Sequence, residues 1–156
     1  MTTRSTRRFV LAALAVATLV TGWALLAQPA RDRIIDNATV TTRAGHVFLE
    51  IALTLPFRYI SHVPLETGRE LRIRIQPVKV SSSDRDAVFL REAMVPPDAR
   101  VAAIDQVVYE GDAPDGPWLT VYFDHLVRFQ VIPDADYRGI SVEIQQILQE
   151  QHGDRP

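Results

Sequence analysis

The sequence predicts an all-β fold: a two-sheet antiparallel β-sandwich built from a duplicated strand set, with one short helix between the copies. Three observations carry this expectation. Apolar and polar residues alternate with a period of two through most of residues 38–148, the pattern of strands with one wet face. The alternating set occurs twice, residues 48–53 and 57–59 matching residues 118–123 and 127–129 at an offset of 70, and residues 71–75 matching residues 140–144 at an offset of 69. Neither copy can bury its apolar face alone, so the two sheets are expected to pack on each other.

Taken in order, residues 1–30 begin with Arg4, Arg7 and Arg8, and residues 9–26 carry no charge. As a helix that run is about 27 Å long, near the lower limit for crossing a bilayer. Residues 1–30 therefore read as a signal peptide or an N-terminal membrane anchor through residues 9–26. Both readings make the body periplasmic or exported, because arginine-rich flanks stay inside. Residues 31–37, polar apart from Ile34 and Ile35, read as a linker. The folded domain is assigned to residues 38–148 and a flexible tail to residues 149–156.

Within the domain, residues 38–43 form a short β-rich run that Ala44 and Gly45 turn. Val47, Leu49, Ile51, Leu53 and Leu55 share one face of the next strand, which Pro56 ends. Residues 57–63 make a strand, Gly68 a turn, and Leu71, Ile73 and Ile75 alternate with Arg72, Arg74 and Gln76. Residues 84–94 lack Gly and Pro and are expected to form the helix, with Ser83 as its cap and Pro96 and Pro97 as its stop. Strands follow over residues 101–110, 118–124, 127–131 and 140–144.

Composition narrows the chemistry. The chain has no cysteine, which removes disulfides, thiolate metal sites and cysteine nucleophiles. Four histidines stand at no ligand spacing, so no metal and no cofactor are expected. Asp124 and His125 lack a Gly-x-Ser-x-Gly nucleophile turn, and Asp112, Asp115 and Gly116 read as a turn rather than a calcium loop. A non-catalytic protein is expected. The formal charge of −2 divides unevenly: residues 43–79 hold six basic and three acidic residues, residues 98–154 three basic and eleven acidic. The body is net acidic, which argues against nucleic acid as a partner.

The candidate binding residues lie in the basic first copy. Arg72 and Arg74, two apart on a strand, leave one face about 7 Å apart. Arg58 joins from the neighbouring strand with Tyr59 beside it, and Arg128 stands at the position equivalent to Arg58. Two readings of the arginines stand together. One is a row of cross-strand pairs with Glu50, Glu66, Glu70 or the acidic second copy; the other is a face that holds the carboxylates or phosphates of an envelope polymer or an acidic protein. An alternative function is a carrier of small apolar ligands, with a pocket between the sheets near Phe57, Tyr59, Trp118 and Phe129.

The alternation from Phe48, the Pro56-Phe57-Arg58-Tyr59 segment and Gly68-Arg69-Glu70-Leu71-Arg72-Ile73 resemble the AMIN-type modules of bacterial envelope proteins. Val108-Tyr109-Glu110-Gly111 leading into residues 119–123 and Val127-Arg128-Phe129 is similar to the N-terminal β-module of exported tetratricopeptide-repeat proteins. The resemblance covers most of residues 38–147. It implies a sandwich of two symmetric sheets that docks in the periplasm, on peptidoglycan or an envelope protein.

Overall fold

The computed structural model describes residues 32–148; the expected leader and tail lie outside the described residues. Eight strands follow one another: β1 (Ile35–Arg43), β2 (His46–Leu53), β3 (Phe57–Val63), β4 (Thr67–Pro77), β5 (Arg91–Met94), β6 (Ile104–Glu110), β7 (Trp118–Pro133) and β8 (Gly139–Leu148). All pairings are antiparallel and join the strands into one continuous sheet. The all-β expectation holds.

The long strand β7 links the two halves of that sheet. Its first part, from Trp118 to Phe123, lies between β6 and β4, and its second part, from Leu126 onward, pairs with β8. One half thus reads β5-β6-β7-β4-β3 and the other β1-β2-β8-β7. Their inner faces share one apolar core in which Leu49, Ile51, Leu71, Ile73, Leu119, Val121 and Val142 are buried. Phe123 and Phe129, on the two parts of β7, stack within it at 5.9 Å.

The duplication extends to the pairing. Leu49 faces Val142 across β2 and β8, and Leu119 faces Ile73 across β7 and β4. Tyr59 faces Ile75 as Phe129 faces Ile144. Val40 faces Leu49 as Tyr109 faces Leu119, so β1 and β6 belong to the repeat as well. Even the links between strands correspond: Thr54 N donates to Ile34 O at 2.9 Å, and Asp124 N to Ala103 O at 2.8 Å.

Three local expectations are corrected. Residues 84–94 are no α-helix; they form a 3-10 turn, Ala87–Phe89, followed by β5. An isolated helix of about three turns is marginal in water, and this segment has a better outlet on the open edge of β6. There Gly111 N donates to Leu90 O at 2.8 Å and the buried Tyr109 hydroxyl to Val88 O at 2.6 Å. The expected Ser83 cap is also absent: Ser83 bonds the Ser81 hydroxyl at 2.7 Å, and Asp86 opens the turn.

Second, residues 118–124 and 127–131 are one strand, because no proline interrupts them as Pro56 interrupts β2 and β3. Third, the linker assigned to residues 31–37 is already folded from Ile34. Ile34 and Ile35 are buried, and their N–H groups donate to the Glu92 carboxylate on β5, the second at 3.1 Å. This anchors β1 beside β5 and satisfies two donors that would otherwise be buried alone.

Candidate functional site

The basic face lies on the outer side of β3, β4 and the first part of β7. Leu71, Ile73 and Ile75 turn inward and are buried, so the alternating Arg72, Arg74 and Gln76 turn outward. Arg58 pairs in register with Gln76 and therefore shares that outer face, where it is exposed. Opposite Arg74, across the ladder to β7, stands Trp118.

Trp118 organises the two arginines. The Arg72 guanidinium lies 4.5 Å from the indole centroid and that of Arg74 5.8 Å, distances at which the ring's negative face attracts a cation. The indole Nε1–H donates to Asp115 Oδ1 at 3.0 Å, and Arg74 Nη2 donates to the Asp115 carbonyl at 2.7 Å. The hydrogen bond from Trp118, with smaller help from Arg74 and Arg72, holds the Asp115 carboxyl below its usual range. Arg72 Nε is 3.9 Å from Glu70 Oε1, a loose exposed pair.

Beside this cluster a groove of about 320 Å³ runs between Ile60, Arg74, Gln76, Gly116 and Pro117. Among the described residues Arg58 makes no ion pair and no side-chain hydrogen bond. The arrangement offers an anionic chain one free guanidinium, one oriented by an indole and a carbonyl, and an apolar floor.

The other two sequence candidates fall elsewhere. Tyr59 follows the inward phase of β3 opposite Ile75, and its hydroxyl meets His62 Nδ1 at 2.6 Å; burial raises its pKa. His62 Nε2–H donates to Leu65 O at 2.9 Å, which leaves Nδ1 to accept from Tyr59, so both ring nitrogens are occupied. Arg128 faces Thr67 and Gln146, and Thr67 lies five residues along β4 from Arg72, about 17 Å away. Among the described residues neither Arg58 nor Arg128 pairs with a carboxylate.

The rings expected to line a pocket between the sheets are separated. Phe57 and Phe129 are buried in the core, while Trp118 lies on the outer face. A pocket of about 150 Å³ touches Phe57 and Tyr59 but is closed by Pro133, Tyr137 and Ile140 rather than by Trp118 or Phe129. Among the described residues no group of three or more His, Asp or Glu converges to hold a metal, and no helix is long and apolar enough to cross a membrane.

Sequence spacing alone found Arg72 and Arg74 but missed Trp118 and Asp115. Only the β4–β7 register brings them together; the one available signal was a tryptophan in the outward phase of its strand. Comparison of the chain with protein-family models, curated proteins and solved structures gives no match.

Proposed function

We propose that this chain is a non-catalytic, exported docking module that binds a carboxylate-bearing component of the cell envelope, polymer or protein, through Arg58, Arg74 and Arg72. The observation that carries the reading is the exposed Arg58, without an ion pair among the described residues, on the same face as an arginine pair stacked on Trp118, of which Arg74 lines the 320 Å³ groove. A guanidinium already oriented by an aromatic ring loses less side-chain freedom when it takes a carboxylate in a bidentate pair. The resemblance to AMIN-type modules makes peptidoglycan the first probe, and the uncharged run over residues 9–26 supports export.

The test is co-sedimentation of the chain with purified peptidoglycan at about physiological ionic strength. Arg58→Glu combined with Arg74→Glu is expected to reduce the bound fraction at least tenfold while the thermal melt moves by no more than a few degrees. Binding unchanged by the double reversal would overturn the assignment of this face.

A further inference from the structure

The duplication is broken at one edge. In one half β5 covers the outer edge of β6, with Arg91 facing Glu110, Glu92 facing Tyr109, Ala93 facing Val108 and Met94 facing Val107. The matching edge in the other half belongs to β1, and among the described residues β2 alone pairs with it. Carried across the repeat, Val107 to Glu110 correspond to Ala38, Thr39, Val40 and Thr41.

The side chains record the difference. Beneath β5, Arg91 reaches Glu110 at 2.8 Å, the Thr120 hydroxyl donates to Glu110 at 2.9 Å, and Thr120 and Val108 are buried. Their counterparts Glu50 and Thr39 are only half-buried and line an open groove of about 560 Å³ with Asp134 and Asp136 on its far side. The Thr41 hydroxyl, in the place of the Glu110 carboxylate, is shut from solvent without a hydrogen-bond partner.

The charged side chains that line the groove are Glu50, Asp134 and Asp136 against Arg43 and Arg138, and the Arg138 guanidinium is turned to Thr54 O at 3.2 Å. Arg43 pairs with Glu50, but among the described residues no cation pairs with Asp134. Burial, followed by the repulsion of Asp136 and Glu50, pushes its carboxyl above the usual range.

We propose that the outer edge of β1, from Ala38 to Thr41, accepts an extended basic strand of a partner protein, antiparallel and in the register that β5 takes on β6. The ladder supplies affinity through main-chain hydrogen bonds, and a lysine or arginine opposite Thr39 points into the groove toward Glu50, Asp134 and Asp136 to supply selectivity. This surface is separate from the arginine face of β3 and β4, so either can fail without the other.

The test uses the full chain and a synthetic peptide copying residues 87–96 with Ala93→Lys, read by residue-resolved amide hydrogen exchange. Saturating peptide is expected to slow the outward amides within residues 38–41 at least tenfold. Asp134→Asn with Asp136→Asn is expected to weaken the peptide at least fivefold, and a peptide carrying Arg91→Glu and Ala93→Glu should give no protection. The proposal is overturned by protection on β3 in place of β1, by no protection, or by equal affinity of the Asp134→Asn/Asp136→Asn chain. Slow exchange at residues 38–41 already present without peptide overturns it too, including slowing that grows with protein concentration and so marks a second copy.

Discussion

The half of the sheet that ends on β5 and the half that ends on β1 share a backbone plan and differ in what covers the plan's edge. Both pair their strands in matching register around one core. In the first, residues 78–103 insert two 3-10 turns and β5; the Tyr109 hydroxyl on the core side is bonded to Val88 O, and Glu110 on the outer side to Arg91 and Thr120. In the second, Val40, Thr41 and Glu50 occupy those positions, and among the described residues no strand lies over them. Repetition therefore accounts for the fold, and the segments that do not repeat decide which surfaces stay open.

The largest effect that bears on this comparison concerns its symmetric part. Leu49 and Leu119 are equivalent and both fully buried, so truncating either to alanine is expected to cost about 2–5 kcal/mol. Denaturant unfolding of Leu49→Ala and Leu119→Ala should give losses that agree to within about 1 kcal/mol. A loss at one site several times that at the other would break the equivalence of the halves.

A smaller effect belongs to the open half alone. The raised folded-state pKa of Asp134 means that the folded chain holds this proton more tightly than the unfolded chain does. The sign is thus opposite to that of a salt-bridged carboxylate: ionised Asp134 disfavours the folded state at neutral pH, and the penalty fades as pH falls through the raised folded value and is gone below the unfolded one. Asp134→Asn should raise the melting temperature slightly at pH 7, with a gain that shrinks through the acidic carboxylate range. A gain that instead grew toward low pH would contradict the cause assigned to the shift.

Much of this architecture was legible in the sequence, for reasons that also explain the misses. Strands β2, β4 and β8 carry alternation because one face meets the core and the other is more open to water, whereas the first part of β7 is buried on both faces. Strand β5 is four residues long, too short for alternation to stand out against the helix-compatible run around it. That β1 and β6 are equivalent was hidden because Thr39, Val40 and Thr41 share little chemistry with Val108, Tyr109 and Glu110, although their backbones occupy matching places. At the binding face, the spacing of Arg72 and Arg74 determined their common direction. Tyr59 was grouped with Arg58 by adjacency, yet neighbours on a strand point to opposite faces. Trp118 could not be found without the register that sets it opposite Arg74.

The most direct test of the comparison is amide hydrogen exchange on the unliganded full chain, with residues 38–41 read against residues 107–110. In each set about half of the N–H groups point away from the inner neighbouring strand. With β5 over β6 and, among the described residues, no strand over β1, the outward amides of residues 38–41 are expected to exchange at least tenfold faster than their counterparts. Equal protection of the two sets would contradict an open β1 edge and, with it, the division of the molecule into a covered half and an open one.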